Sequence, residues 1–344
     1  MNGRVIVLDE IQGRKAAALI SEGRLEELLI DPEDDTPLPG AIYRAVADRP
    51  MKGMGGMFVK LPQGSGFLRQ TDGLAPGQRI VVQVTGPAEE GKALPVTTRL
   101  LFKGRLAIVT PEAPGLNISR RIRDEGLRAE LQALADAAME GSAHGLILRS
   151  AAEEAEAEEI ADEVAELRQM ADAVTADLDG GPELLVEGAS AHDTAWRDWE
   201  AADEVVTEGF KRLGVLEMID DLLSARVDLP GGGHMMIEPT RALVAVDVNT
   251  GPDGSPAASL KVNIAAARDL PRQLRLRGLG GQVVVDFAPI PKRDRAILDQ
   301  VLKAAFKSEG ETNLPGWTGL GLYELVRKRD RLALAGLMKT GMAK

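Results

Sequence analysis

The chain of 344 residues contains no cysteine and only three histidines. The first absence removes disulfides, thiolate nucleophiles, iron–sulfur clusters and every Cys-based zinc site. His144, His192 and His234 stand apart, with no i, i+4 pair, which disfavours a His-rich metal centre and a Ser/His/Asp triad. A metal in this chain is therefore expected to be held by oxygen donors, which favours Mg²⁺ or Mn²⁺ and leaves zinc unexpected. No apolar run approaches the roughly 18 residues that a membrane span requires, so no membrane partner is expected. The opening "MNGRVIVLDEIQGRK" lacks a basic region followed by a long apolar stretch and a small-residue cleavage site, and the predicted compartment is the cytoplasm.

What is present fits a soluble globular class: 44% hydrophobic and 27% charged residues, in a length that predicts about two or more domains. The net charge of −12 argues at first sight against a nucleic-acid partner, because neutralising phosphates dominates such binding. The charge is segregated, however. Residues 153–166, "EEAEAEEIADEVAE", hold eight acids and no base, whereas 261–295 hold eight Lys/Arg against three Asp. A basic stripe can coexist with an acidic average.

Residues 1 to about 35 read as short strands joined at Gly turns, closed by the turn cluster "DPEDDTPLPG". From Gly40 come "AIYRAVA", "GMFVKLP", "GFLRQ", "QRIVVQVTG" and "LPVTTRLLF", short β runs with Gly/Pro punctuation that predict a small barrel. A helix is expected at "LRAELQALADAAME" and a strand at "GLILRS". Ile160, Val164, Leu167, Ala171, Val174 and Leu178 then recur at steps of four and three, the apolar face of a long helix whose acidic block reads as a solvated face. After the strand "LLVEG" a helical region is expected through about Ser224, followed by the hairpin "SARVDLPGGGHMMIEP" with His234 as an exposed residue beside its turn. The last third alternates strands and helices, which predicts a sheet covered by helices.

Two strands in that last third end in carboxylates: "ALVAVDV" with Asp247 and "QVVVDF" with Asp286. Their separation fits strand, loop, crossover helix and strand, placing both at one edge of neighbouring strands, where α/β sites are commonly built. Two close carboxylates repel, and a hard cation between them relieves the repulsion. The bland reading stands beside this one: an Asp after a buried strand is often a helix N-cap or an Asx-turn. Asp247, Asn249, Gly251 and Asp253 also alternate as in a calcium loop, but Ala258 stands where that loop needs a bidentate acid. Arg268, Arg272, Arg275 and Arg277 are expected beside the metal edge, with Lys292, Arg293 and Arg295 after the second strand. Guanidinium next to a carboxylate-held cation suits a phosphodiester.

"ALVAVDVNTG", "RQLRLRGLGGQVVVDF" and "GLYELVRKR" closely resemble the catalytic region of the ribonuclease E/G family, endonucleases of single-stranded RNA, densely over residues 236–330. The resemblance implies an α+β multidomain fold: an S1 (OB-type) β barrel, an α/β DNase I-like catalytic layer and a reduced RNase H-like subdomain. It implies the first part of that subdomain at 1–37, the S1 domain at 38–104, a 5′-sensor-like region at 105–182, the second part of the subdomain at 183–238 and the catalytic domain at 239–344. Asp247 and Asp286 would hold Mg²⁺, with Mn²⁺ as the alternative, and Asn249 would position the reacting groups. Cleavage would leave 5′-phosphate and 3′-hydroxyl ends, in RNA processing or decay. Phe58, Phe67 and Lys92 match RNA contacts of the S1 domain, although either Phe read alone is equally a core residue. Arg149 and Ser150, with Arg120 nearby, match the pocket that senses a 5′-monophosphate; Arg121 has a structural alternative.

Several departures accompany the resemblance. The Cys-rich zinc link between protomers has no counterpart, nor has the C-terminal dimerisation domain, so the zinc-linked tetramer is not expected. The loop after "GFLRQ" and the stretch between "LLVEG" and "LPGGGH" are short, Gly319 replaces an Arg in "TGLGL", and the acid after "VDF" is missing. The rival expectation is a non-catalytic S1-type RNA-binding protein. The lack of catalytic-type histidines near the acidic strands disfavours DNA as substrate.

Overall fold

The computed structural model describes residues 3–33, 36–51, 53, 55–71, 73–88 and 91–339; Asp34 and Asp35 of the predicted turn cluster lie outside the described residues. The fold is mixed α+β, in two compact units: residues 1–33 with 202–344, and residues 34–201. No helix among the described residues is long and apolar enough to cross a membrane.

In the first unit, β1 (Arg4–Ile11), β2 (Arg14–Ser21) and β3 (Arg24–Ile30) form an antiparallel meander. Its two-residue turns, Gln12-Gly13 and Glu22-Gly23, have positive φ at both positions. That is the geometry whose twist matches paired strands, and Gly at the second position makes it accessible.

The second unit begins with β4 (Ile42–Pro50), β5 (Met57–Lys60), β6 (Ser65–Leu68), β7 (Arg79–Val84) and β8 (Leu94–Thr97). They run in the order β4-β5-β6-β8-β7, and β4 also pairs with β7. The result is a closed five-stranded, OB-like barrel. Val59, Leu68, Val82 and Val96 fill its interior. Gly66 is required there, because a Cβ at that position would lie 2.8 Å from Val59 Cγ2. Next come β9 (Phe102–Lys103), β10 (Ala107–Thr110), β11 (Leu116–Ile118), α1 (Glu125–Ala138), β12 (Gly145–Leu148) and α2 (Ala157–Ala176). The strands form a sheet in the order β11-β12-β10-β9.

The predicted face of α2 is buried at Ile160, Val164, Leu167, Ala171 and Val174, but Leu178 falls beyond the C-cap Asp177 and is exposed. Its acidic block is not wholly a solvated face. The Glu163 carboxylate accepts hydrogen bonds from the backbone N–H groups of Arg105, Leu106 and Ala107 at 2.7–3.1 Å, satisfying donors at the start of β10 that have no sheet partner. β13 (Glu183–Val186) joins β4 antiparallel, and α3 (Ala191–Asp198) starts at a capping box of Ser190 and Asp193.

The chain then returns to the first unit. β14 (Glu204–Thr207) lies parallel to β1, and α4 (Val215–Leu223) follows. A helical reading of this stretch misses β14, which has only four residues and no alternation to announce it. β15 (Arg226–Asp228), β16 (His234–Pro239), β17 (Val244–Asn249), α5 (Pro256–Leu276), β18 (Gly281–Asp286), α6 (Arg295–Ala305), β19 (Thr312–Trp317), β20 (Tyr323–Arg327) and α7 (Leu334–Lys339) complete the chain. The six strands form one sheet in the order β15-β16-β17-β18-β20-β19. Only β17 and β18 are parallel, as a crossover through α5 demands. One face of the sheet is oily: Val244, Val246, Val248, Val283 and Val285 pack with Val262, Ala266, Leu270, Leu298 and Leu302 of α5 and α6.

Candidate active site

Strand periodicity decides what the other face presents. With Val246, Val248 and Val285 turned into the core, Asp247, Asn249 and Asp286 face outward, and both aspartates are exposed. Asp247 and Asp286 are direct partners across the parallel pair. Neighbouring strands lie about 4.8 Å apart, so two carboxylates stand side by side on one surface. Asn249 Nδ2 donates to Asp247 Oδ2 at 2.7 Å, occupying one carboxylate oxygen and fixing its orientation. The calcium and N-cap alternatives fade here: Asp247 and Asp286 lie within strands, and the cap of α5 is Ser255, whose side chain accepts from Ala258 N–H.

The donor set fits a hard divalent cation. Two carboxylates and an amide offer only oxygen, and no group of three or more His, Cys, Asp or Glu side chains gathers among the described residues. Mg²⁺ is commonly bound in this way, by one or two carboxylates with water and substrate phosphate completing its shell. Zinc, which takes three or four protein ligands, has no such set here.

Two features of this edge depart from the sequence reading. Asn263, fully buried on the apolar side of α5, donates through Nδ2 to Ala288 O (2.8 Å) and accepts at Oδ1 from Ala288 N–H (3.0 Å). It thereby pins the segment that leaves Asp286. An Asn inside the apolar stripe "VNIAA" was the available signal. The second feature is the arginines of α5, which do not crowd the carboxylates. The N-terminal half of α5 lies at the carboxylate edge, where Val262 adjoins Gly233 and Asn263 holds Ala288. The crossover must then carry the helix back toward the edge from which β18 starts, taking the arginines with it. Arg272 hydrogen-bonds Asp269 and Leu25 O, and Arg275 pairs with Glu27 and Glu309. Arg268 is exposed. Of the basic residues after β18, Arg295 stacks on Trp317, its Cζ 4.6 Å from the ring centroid.

His234 lies in β16 rather than in a loop, half-buried, as the register partner of Asn249.

In the second unit, the register pair Phe58 and Phe67 stands on the outer wall of the barrel, each half-exposed, with ring centroids 5.4 Å apart. The Arg49 guanidinium lies 5.2 Å above the Phe58 ring. Lys92 is exposed and lies two residues before the start of β8, the neighbour of the strand that carries Phe67. Arg149, Ser150 and Arg120 are brought together because β11 and β12 run parallel and exit side by side, Ser119 N–H donating to Leu148 O. Arg120 is exposed. The Arg149 guanidinium donates to Gly104 O (2.6 Å) and Asp198 (2.8 Å). Burial alone would raise the Asp198 pKa, but Arg197 and Arg149 outweigh it and hold the carboxyl below its ordinary value. Arg121 pairs with Glu200 at 2.8 Å.

Comparison with known proteins accords with this geometry. The model of the ribonuclease E/G family matches residues 102–211 and 203–330. Ribonuclease E of Nostoc sp. is 30% identical over 96% of this chain and 56% of its own length. Ribonuclease E of Synechocystis sp. is 27% identical over 96% of this chain and 57% of its own. For ribonuclease G of Escherichia coli the identity is 27%, over 91% of this chain and 77% of the relative. The chain thus spans just over half the length of the Nostoc and Synechocystis relatives. With the family model covering most of the sequence and the motif residues paired across one sheet edge, the chain belongs to the ribonuclease E/G family.

Proposed function

We propose that the chain is a Mg²⁺-dependent endoribonuclease of single-stranded RNA that acts in the cytoplasm in RNA processing or decay. The observation that carries this reading is the pairing of Asp247 with Asp286 on an open sheet face, with Asn249 bonded to the first. Asp247 and Asp286 hold the cation, for which Mn²⁺ is a substitute, and Asn249 keeps one Asp247 oxygen aimed. When bound, the cation supplies Lewis-acid stabilisation of the charge that develops on the phosphoryl oxygens. Water adds to phosphorus, the bond from phosphorus to the 3′ oxygen breaks, and that oxygen takes up a proton, leaving 5′-phosphate and 3′-hydroxyl ends. The open face leaves room for an extended strand to lie across the carboxylates.

Phe58 and Phe67 stack bases and Lys92 meets the backbone. An aromatic platform of this kind contributes about 1–3 kcal/mol per base and is indifferent to sequence. Arg149, Ser150 and Arg120 receive a 5′-monophosphate. For Arg149 this means exchanging Asp198 for the incoming phosphate, so the pocket responds to a dianion and not to a 5′-hydroxyl.

The decisive experiment incubates the protein with 5′-monophosphorylated and 5′-hydroxyl forms of one A/U-rich oligoribonucleotide, in Mg²⁺ or EDTA. Internal cuts that require the metal are expected, falling at least 10³-fold in Asp247→Asn and in Asp286→Asn. Arg149→Ala is expected to erase the preference between the two ends. RNA binding without cleavage under every metal condition would instead establish the non-catalytic rival.

A further inference from the structure

A cavity of about 470 Å³ lies in the first unit, between the β2–β3 turn, α4, the edge strand β15 and the last turns of α5. Arg24, Arg226, Arg272 and Arg277 line it, with Asp221 and Asp228. Most of these charges are already matched. Arg24 and Arg272 share Asp269, and Arg226 pairs with Asp228 at 2.8 Å. Arg277 differs. It is 6% exposed, and its guanidinium donates only to neutral oxygens, those of the Gln273 side chain and of Ser224 O. Among the described residues no carboxylate pairs with it.

A buried cation normally recruits an anion, because desolvation costs several kcal/mol that neutral partners do not fully repay. Here burial, and then the nearby Arg272 charge, pull the Arg277 pKa down to about 10, with Asp269 opposing only in part. The unmet requirement is a negative charge inside the cavity. Asp221 and Asp228 line the cavity and Asp269 and Glu26 stand beside it, equal in number to the four arginines, yet among the described residues none of these carboxylates pairs with Arg277.

From this geometry we infer that the cavity is a binding site for a phosphate ester, with Arg277 as its principal anion receptor and Arg226 and Arg272 as flanking donors. Guanidinium suits this role, because its planar fork meets two oxygens of one phosphate at once. Leu25, Met218, Leu222 and Leu276 add an apolar portion to the wall, and the volume is that of a site for a ligand of mononucleotide size.

The location gives the phosphate two sources. Arg226 stands in register with Met236, which is in register with Asp247, so it lies two strands, or about 10 Å, from the first carboxylate along the same row. An RNA strand crossing the open face could place a backbone phosphate at the cavity mouth. A free nucleotide could occupy the cavity alone.

Calorimetric titration of the full chain with inorganic phosphate, with AMP and with a non-cleaved 2′-O-methyl decamer tests the assignment. AMP is expected to bind with Kd below 1 mM in an Arg149→Ala background, in which the proposed 5′-monophosphate pocket is disabled. Arg277→Met and the surface variant Arg226→Gln are each expected to weaken it at least tenfold, while Asp247→Asn leaves it unchanged. Circular dichroism confirms that the variants are folded, and Arg226→Gln keeps the test decisive should Arg277→Met fail to fold. If AMP does not bind but the decamer loses affinity in the folded cavity variants, the phosphate comes from RNA. AMP binding that is absent below 10 mM or unchanged in the folded cavity variants, together with decamer affinity within twofold of wild type in those variants, overturns the site. Because Asp247→Asn removes cleavage and not this cavity, failure of the site and failure of the nuclease reading are separable.

Discussion

At the scale of single residues, Asn263 does something that no surface property betrays. Both ends of its amide are spent on the backbone of Ala288, two residues beyond Asp286. Asn263→Ala leaves one buried N–H and one buried carbonyl without partners, at about 1–3 kcal/mol each, less whatever relaxation recovers. A loss of about 2–4 kcal/mol in urea unfolding at pH 7 is expected, with a fall in cleavage at saturating Mg²⁺ because the exit of β18 is no longer pinned. A loss under 0.5 kcal/mol would show that the two bonds do not hold this edge. The outward placement of Asp247, Asn249 and Asp286 was legible in sequence because β periodicity announces which residues leave the core. Asn263 was harder to read, since one polar residue in a helical stripe resembles an imperfect pattern until its partner, 25 residues away, is known.

At the scale of elements, the α5 arginines show where a charge pattern misleads. The sequence spacing correctly predicts a crossover helix, and a crossover returns the chain to the edge from which the next strand starts. Basic residues in its second half therefore leave the carboxylate edge, and acids from other elements meet them. Asp269 binds Arg24 at the start of β3 and Arg272 and Gln273 of its own helix, fastening the meander to α5. Burial pushes its pKa up, but hydrogen bonds from Arg272 and Gln273 and the charges of Arg272 and Arg24 together hold it below the ordinary 3.8. With the folded value depressed, the stabilisation is complete above the unfolded value and is lost as pH falls through 3.8 toward the folded one. Asp269→Asn is thus expected to cost about 2 kcal/mol at pH 7, the scale of hydrogen bonds to a charged group. The difference from wild type should shrink below pH 4 in parallel urea series. A difference that holds constant from pH 7 to pH 3 would assign the cost to packing instead. The four-residue β14 was illegible for another reason: a short strand takes its identity from its partner, β1, about 200 residues earlier.

At the scale of the whole molecule, residues 34–201 are a continuous insertion in a unit made from both ends of the chain. Each unit carries its own cores: the barrel interior and the α1/α2 cluster lie within the insertion, and the two sheets of the first unit close on α4, α5 and α6. A segment with its own closed barrel and helix-covered sheet buries enough apolar surface to fold alone, being within the usual size of a domain. The excised fragment 34–201 is therefore expected to unfold in one cooperative thermal transition and to bind a single-stranded oligoribonucleotide without cutting it, since Asp247 and Asp286 remain behind. On the proposed reading, stacking on Phe58 and Phe67 is indifferent to sequence and only partly electrostatic, so binding should persist despite the acidic average of the chain, and each Phe→Ala change should weaken it about tenfold. Raising the salt should weaken wild type and both variants by the same factor, because the substitutions remove stacking and leave the phosphate contacts in place. A molten fragment would contradict the autonomy of the insertion. A folded fragment whose two Phe variants bind as tightly as wild type would move RNA recognition off the barrel wall.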